Sequence, residues 1–251
     1  MFTARAPGPS FELPAPLVAL LEGRTAEPVW LNALDGVTVR LPQEGAFLKW
    51  QPPGSRLPPL VHEEERLRWA AAELATAGHV NGVAVPRVLE HGQDERGEWL
   101  LTAALPGRSA VDPHWIERPE LAVPGIGRAL RRLHEAFDPE RCPYDWSVEQ
   151  RLLAAPFGTE PLGEAPSIDR LVVCQGDACA PNTLLDDDGV GIGHVDLGML
   201  GVADRWADLA VAALSTEWNF GPGWQRALVE AYGVEWDEPR IRYYQALWNA
   251  E

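Results

Sequence analysis

The chain has 251 residues, of which 46% are hydrophobic and 23% charged, the composition of a folded globular protein rather than a disordered one. This length allows one large domain or two lobes, and it is too long for a small scaffold held by disulfides. No apolar run reaches the length of a membrane span, and the first nine residues lack the basic and apolar segments of a secretory signal. We therefore expect a cytoplasmic protein that does not act at a membrane.

The net charge narrows the class of partner. The formal charge of -16 at pH 7 would repel the phosphates of nucleic acid, whereas it would attract a cationic ligand. Acidity also keeps proteins soluble, so charge alone does not identify the ligand. The three cysteines are an odd number without metal-type spacing, and this predicts reduced thiols at Cys142, Cys174 and Cys179.

The first part of the chain predicts a small sheet with one helix. Residues 1–27 are rich in proline and small side chains, which predicts a partly ordered lead-in with a helical turn at Leu17–Leu21. Asp35-Gly36 is a hairpin signal, because glycine accepts the positive φ of a tight turn. A helix is expected over Leu60–Ala77, where helix formers follow a proline-rich loop. Strands are predicted at Val29–Leu34, Val37–Leu41, Ala46–Trp50, Val85–Leu89 and Trp99–Ala103.

The remaining chain is predicted to be mostly helical. Leu105-Pro106-Gly107 has the composition of a turn and suggests a hinge between two lobes. The apolar residues of Ala122–Phe137 recur with helical spacing. Further helices are predicted at Trp146–Ala154, Ala203–Glu217, Trp224–Tyr232 and Pro239–Trp248. Short strands are predicted at Leu171–Cys174, Thr183–Leu185 and Ile192–Val195.

Three oxygen-bearing side chains follow these short strands. Asp177 and Asn182 lie five positions apart in the segment Cys174-Gln175-Gly176-Asp177-Ala178-Cys179-Ala180-Pro181-Asn182, and Asp196 follows in His194-Val195-Asp196-Leu197-Gly198. Phosphoryl transfer needs one carboxylate to orient the attacking hydroxyl and accept its proton, and oxygen ligands to hold Mg²⁺ on the phosphates. Asp177 suits the first role, and Asn182 and Asp196 suit the second. The same residues, taken alone, are also common turn formers.

The basic residues contain a second signal. Of the 21, 20 are arginines and one, Lys49, is a lysine. A compact ammonium is needed where the broad guanidinium fork does not fit, so a single lysine in an arginine-rich chain is a candidate for such a position. Lys49 falls near the end of the third predicted strand, and the next predicted helix carries Glu63. An exposed lysine without a function is the alternative interpretation.

Lys49, Glu63, a hinge, Asp177, Asn182 and Asp196 occur in the order of the signature residues of the kinase fold. The chain resembles the aminoglycoside phosphotransferase family, and within it the 3'-phosphotransferases. The segments that carry the second resemblance are Arg131-Arg132-Leu133-His134, Cys142-Pro143-Tyr144-Asp145 and Leu200-Gly201-Val202-Ala203-Asp204-Arg205. The resemblance implies an α+β, two-lobed protein-kinase-like fold, with an antiparallel sheet and a helix in residues 1–104 and a mostly helical lobe in residues 105–251.

The resemblance also implies a role for each residue. Lys49 would contact the ATP phosphates and pair with Glu63, while Ala103 and Leu105 would offer backbone groups to the adenine. Asp177 would be the catalytic base, and Asn182 and Asp196 would hold Mg²⁺. Asp208 would act as a structural acceptor that braces the catalytic loop. The implied function is ATP- and Mg²⁺-dependent phosphorylation of a hydroxyl on a cationic small molecule, an aminoglycoside, as in antibiotic resistance.

Departures from the family pattern keep alternatives open. Gln175 stands where a histidine usually precedes Gly-Asp, and Met199 stands where the 3'-enzymes usually have an arginine. Trp218-Asn219 and Trp248-Asn249 stand where those enzymes carry acids that grip the amines of the substrate. One alternative is therefore a kinase of another small alcohol or sugar. The other is a nucleotide-binding pseudokinase, although the complete set of catalytic residues disfavours it.

Overall fold

The computed structural model describes residues 7–8, 10–32, 34–76, 83–154 and 162–250. The chain forms two compact units, one of residues 1–69 and 86–105 and the other of residues 70–85 and 106–251. Residues 70–85 thus group with the second unit. The lobe boundary between residues 104 and 105 remains a prediction.

The first unit is built on an antiparallel sheet of five strands in the order β1-β2-β3-β5-β4. The strands are β1 (Glu27–Leu31), β2 (Val37–Leu41), β3 (Ala46–Gln51), β4 (Val88–Asp94) and β5 (Gly97–Ala103). Inward-facing positions alternate along β2, where Val37, Val39 and Leu41 are buried, as expected for a half-covered sheet. The predicted positions of β2, β3 and β5 are confirmed, while β4 begins three residues later than predicted and extends to Asp94.

The lead-in contributes to the hydrophobic core. Helix α1 (Ala15–Leu21) buries Leu17, Leu20 and Leu21 in the same cluster as the inward face of β2 and β3. Burial of three leucines supplies about 5–8 kcal/mol of transfer free energy, which explains why a proline-rich segment is ordered here. The helical turn predicted at Leu17–Leu21 is therefore confirmed, and it begins two residues earlier than predicted.

The hairpin between β1 and β2 is made differently from the prediction. Asp35, and not Gly36, has the positive φ, at 64°. Aspartate tolerates this region because its short side chain can hydrogen-bond locally. A Cβ on Gly36 would lie 2.9 Å from Cδ1 of Leu57, so the glycine makes room for a packed side chain.

Helix α2 (Leu60–Thr76) follows the prolines as predicted, and the predicted last residue, Ala77, lies outside the described residues. The helix begins in the first unit and ends in the second. Its Glu63 is buried, which is unusual for a carboxylate unless it is paired.

The described part of the second unit is mostly helical. Helix α4 buries Ala122, Ile126, Leu130 and Leu133 along one face, at the spacing that predicted it. Helix α6 starts three residues later than predicted and is buried nearly all round. The helices are α3 (Pro113–Ile116), α4 (Pro119–Ala136), α5 (Val148–Ala154), α6 (Trp206–Phe220), α7 (Gln225–Tyr232) and α8 (Glu238–Ala250).

Two small sheets accompany these helices. One pairs β7 (Leu171–Cys174) with β10 (Gly201–Asp204), and the other has the order β6-β8-β9 with β6 at Arg108–Ser109, β8 at Thr183–Leu185 and β9 at Gly191–His194. Strands β6 and β10 and helix α3 are too short to give a periodic signal, and the sequence analysis missed them. Among the described helices, none is both long enough and apolar enough to cross a bilayer.

Candidate active site

Lys49 and Glu63 form an ion pair inside the first unit. The Lys49 Nζ lies 2.8 Å from Oε1 and 2.6 Å from Oε2 of Glu63, so the ammonium donates to both carboxylate oxygens. The Glu63 side chain is 7% exposed and that of Lys49 is 25% exposed. The pair therefore holds a partly exposed ammonium on β3, where an anion such as a phosphate could reach it.

The end of β5 carries the two residues predicted to face the adenine. The Ala103 N–H donates to the carbonyl of Arg87 at 2.9 Å, and the Ala104 N–H donates to that of Gly45 at 2.8 Å. The Ala103 N–H is thus engaged within the unit, and the group that Ala103 can offer to a base is its carbonyl. Leu105 follows two residues later, just beyond the strand, and both roles remain predictions.

Asp177 lies in the loop that leaves β7, ahead of a short 3₁₀ turn at Ala180–Asn182. Gly176, with φ at 92°, sets the direction of this loop. A Cβ there would collide with the Met199 backbone, so only glycine allows the loop to pack this closely against the segment after Asp196.

Asp208 braces the loop of Asp177 by accepting hydrogen bonds from its backbone. Its Oδ2 accepts the N–H of Gln175 at 2.6 Å, and its Oδ1 accepts that of Gly176 at 3.0 Å. His134 Nε2 lies 2.9 Å from Oδ2, and His134 Nδ1 lies 2.9 Å from the hydroxyl of Tyr232. Asp208 is 1% exposed, so the predicted role of a structural acceptor is borne out by its contacts.

His134, Cys174 and Asp208 have ligand atoms within 4.8 Å of one another, close enough in principle to hold a metal ion. The contacts favour a brace instead, because both nitrogens of His134 and both oxygens of Asp208 already have partners within the protein. Burial also raises the pKa of the Cys174 thiol well above its usual value, which keeps the sulfur protonated and a poor ligand.

Gln175 ties the catalytic loop to the segment that carries Asp196. Its Nε2 donates to the carbonyls of Val195 at 2.9 Å and Asp196 at 3.0 Å. Its Oε1 is buried without a partner among the described residues. Asp196 itself has a φ of 61°, in the left-handed region that few non-glycine residues adopt and that is often found at functional sites. The glutamine therefore holds an uncommon backbone conformation in place through two hydrogen bonds.

Burial and the charge of Asp196 act on Asp177. Burial, and secondly the negative charge of Asp196, raise the pKa of Asp177 from 3.8 to about 6. The Asp177 Oδ1 is buried and has no hydrogen-bond partner among the described residues. Two carboxylates with an unmatched oxygen are a setting that a divalent cation would stabilise.

Asn182 completes the group that the sequence predicted. Its side-chain Nδ2 donates to the backbone carbonyl of Asp177 at 2.9 Å, and its backbone carbonyl accepts the N–H of Val195 at 2.9 Å. The residue thus joins both segments, and its side-chain oxygen is a hard ligand of the type that Mg²⁺ prefers. The donor set of Asn182 and Asp196 fits a magnesium ion, although the assignment of these ligands remains a prediction.

Sequence reasoning missed two supporting residues. Ser215 accepts the Ala180 N–H through its Oγ at 2.9 Å, and Asn219 donates to that Oγ at 3.1 Å. Together they fix the 3₁₀ turn to α6. Their positions in a helix give no signal of this role, because the contact spans 35 residues of sequence.

Comparisons with known proteins agree with the geometry. The model of the phosphotransferase enzyme family matches residues 35–244. An aminoglycoside 3'-phosphotransferase of Streptomyces fradiae is 34% identical over 219 residues, which cover 75% of this chain and 78% of that protein. The crystal structure of an aminoglycoside 3'-phosphotransferase of type VIII is 30% identical, with a TM-score of 0.70 over 93% of this chain and 97% of its own.

A second solved structure adds ligands to the comparison. It is an aminoglycoside phosphotransferase from Streptomyces rimosus in complex with ADP and streptomycin, 26% identical, with a TM-score of 0.68 over 92% of this chain and 97% of its own. The predicted α+β, protein-kinase-like fold is confirmed, as are the predicted enzyme class and the resemblance to aminoglycoside phosphotransferases. The chain belongs to the phosphotransferase enzyme family.

Proposed function

We propose that the protein transfers the γ-phosphoryl group of ATP to a hydroxyl of an aminoglycoside and thereby confers resistance to the antibiotic. The observation that carries the proposal is the set of hydrogen bonds by which Gln175 and Asn182 join the loop of Asp177 to the segment that carries Asp196. Phosphoryl transfer depends on positioning and charge neutralisation rather than on covalent chemistry, and rigid loops that carry carboxylates serve both needs.

Asp177 acts as the catalytic base. Its carboxylate orients the acceptor hydroxyl and takes its proton as the new bond to phosphorus forms. A pKa of about 6 leaves the group ionised at neutral pH and still basic enough to accept a proton. Asn182 and Asp196 would hold Mg²⁺, which supplies charge neutralisation on the phosphates when bound.

Lys49 binds the phosphates of the nucleotide. Its ammonium stays oriented by Glu63, and the pair supplies a fixed positive charge for the α- and β-phosphates. The carbonyl of Ala103 and the backbone of Leu105 would receive the adenine. Support for a nucleotide ligand comes from the ADP bound to the Streptomyces rimosus relative.

The net charge of -16 supports a cationic acceptor, and the named relatives support an aminoglycoside. The cytoplasmic location and the absence of a nucleic-acid partner stay predictions from composition and charge.

A second acceptor class is favoured by two asparagines. The Asn219 side chain donates to the Ser215 carbonyl at 2.8 Å, and the Asn249 side chain donates to the Gln245 carbonyl at 2.9 Å. Both amides are thus turned onto their own helices and offer no negative charge at positions where the 3'-enzymes carry acids. A less cationic alcohol, such as another sugar, is therefore the second candidate substrate.

The test is release of ADP by the purified protein with Mg-ATP, with and without kanamycin, neomycin, streptomycin and simple amino sugars. We expect stimulation by at least one aminoglycoside, and loss of turnover in Asp177→Asn with nucleotide affinity retained. Stimulation by neutral sugars alone would establish the second candidate. ATP binding without ADP release across the panel would support a pseudokinase and refute the proposed activity.

A further inference from the structure

An imidazole links helix α2 to the sheet of the first unit. His91, on β4, has its Nδ1 3.1 Å from Oε2 of Glu64 on α2 and its Nε2 3.1 Å from Oε1 of Glu98 on β5. The side chains of His91, Glu64 and Glu98 are 19%, 17% and 11% exposed, so all three are largely withdrawn from water. We name this trio the His91 bridge.

The imidazole of His91 lies between two carboxylates, with one ring nitrogen 3.1 Å from an oxygen of each. An N–H on either nitrogen donates to the carboxylate that faces it, because an ionised carboxylate offers only acceptor atoms. A hydrogen bond to a carboxylate is charge-assisted and about twice as strong as a neutral one. The ring therefore ties α2 to the sheet.

The bridge acts on the first turn of α2. The Glu98 Oε1 that faces His91 also accepts the N–H of Val61 at 3.0 Å, one of the backbone donors that a helix start leaves without an intrahelical partner. Glu98 and Glu64 therefore hold the turn that contains Glu63 from two sides. Glu63 is the residue that orients Lys49.

The bridge lies at the wall of a cavity. His91 and Glu98 line this cavity of about 470 Å³, together with Gln51, Val61 and residues of the proline-rich segment 52–59. Leu60, in the first turn of α2, is buried, so apolar packing and the polar bridge both hold this turn.

The other charged groups near the bridge are engaged elsewhere. Arg68 pairs with Glu64 through Oε1, the oxygen that does not face His91, and its side chain is 59% exposed. Asp94 is held by Arg96, whose guanidinium and backbone N–H both donate to it. Removal of His91 would therefore leave two partly buried carboxylates, Glu64 and Glu98, without the imidazole between them.

We propose that His91 is a positioning residue for nucleotide binding, because it fixes the turn of α2 on which Glu63 orients Lys49. The proposal rests on the proposed function, since it takes Lys49 to bind the phosphates of ATP. Loss of the bridge allows α2 to populate arrangements in which Glu63 no longer holds Lys49, and the apparent affinity falls with the competent fraction.

The experiment measures the dissociation constants of Mg-ATP, Mg-ADP and adenosine for His91→Leu and His91→Gln by calorimetry. We expect about a tenfold loss of Mg-ATP and Mg-ADP affinity for the leucine variant and a smaller loss for glutamine, which keeps one donor. Adenosine affinity should not change, because Lys49 acts on phosphates. Equal losses for all three ligands, or no loss, would overturn the proposal.

A double-mutant cycle separates positioning from general destabilisation. In a Glu63→Gln background, His91→Leu should cost less than twofold in Mg-ATP affinity, because the residue through which His91 acts is already removed. Full additivity would contradict the proposal. Arg68→Gln is the matched control: it removes the exposed partner of Glu64, leaves the bridge intact, and should leave the affinity within twofold of the unmodified protein.

Three further outcomes are decisive. If leucine at position 91 prevents folding, Glu64→Gln removes the charge at the α2 end of the bridge and should give the same phosphate-dependent loss. If the unmodified protein binds no Mg-ATP, both the bridge proposal and the proposed function fail. If the unmodified protein and His91→Leu bind Mg-ATP with equal affinity, the bridge proposal fails and the proposed function stands.

Discussion

Asp177 occupies a position that costs the protein stability. Burial and the charge of Asp196 raise its pKa from 3.8 to about 6, so the folded chain holds this proton more tightly than the unfolded chain does. The cost is absent below about pH 3.8, grows as the pH rises to about 6, and is constant above it. Asp177→Asn removes the charge and should therefore stabilise the protein at neutral pH.

The expected gain follows from the two pKa values. The interval from 3.8 to about 6, at about 1.4 kcal/mol per pH unit, gives about 3 kcal/mol as an upper limit. The Asp177 side chain as a whole is half-buried although its Oδ1 is fully buried, so solvent screening reduces the gain to about 1–3 kcal/mol. For a chain of this size, that range corresponds to about 2–10 °C in the unfolding midpoint.

The assay is thermal unfolding without nucleotide or magnesium at pH 7.5 and pH 5. At pH 5 the gain should shrink to about half of its value at pH 7.5, because only about half of the interval between the two pKa values has then been crossed. Asp188→Asn, in the exposed turn between β8 and β9, is the control for an equal change in net charge and should shift the midpoint by less than about 1 °C. A destabilised Asp177→Asn, or a gain independent of pH, would refute the reasoning.

Gln175→Leu should lower kcat about tenfold with little change in unfolding midpoint, because two hydrogen bonds to the backbone around Asp196 are lost while the volume is kept; an unchanged kcat in the ADP-release assay would contradict this role. Asp208→Asn should destabilise the protein by about 2–4 kcal/mol, measured by urea unfolding, because an amide cannot accept from Gln175, Gly176 and His134 together. A loss below about 0.5 kcal/mol would show that the brace is dispensable.

The site could be predicted from the sequence where its residues are close together or compositionally unusual. Asp177 and Asn182 are five positions apart, and the structure joins them through a hydrogen bond. Lys49 stood out as a single lysine, and its predicted pairing with Glu63 is the contact observed. Local spacing and residue type singled out these residues, and the resemblance to the family implied the pairing of Lys49 with Glu63.

Other parts depended on tertiary contacts that no local pattern encodes. The proline content of residues 1–27 suggested weak order, yet three leucines of α1 enter the core of the sheet. The departure at Gln175 kept a pseudokinase open as an alternative, and no local pattern showed that its amide makes two hydrogen bonds to the neighbouring loop. The His91 bridge joins three elements, and its charged members appear in the sequence as ordinary surface residues.

The contacts that hold the loops of Asp177 and Asp196 explain both why the charge of Asp177 destabilises the fold and how Asp177 can serve as a base. A carboxylate near another carboxylate would relax toward solvent if its loop were free to move, and its pKa would then return toward 3.8. The Asp208 brace prevents this by fixing two consecutive backbone N–H groups immediately before Asp177, and Gln175 holds Asp196 from the other side. The hydrogen bonds of the buried Asp208 thus offset the repulsion between the carboxylates of Asp177 and Asp196. Under this condition a base with a pKa of about 6 can persist in the folded enzyme.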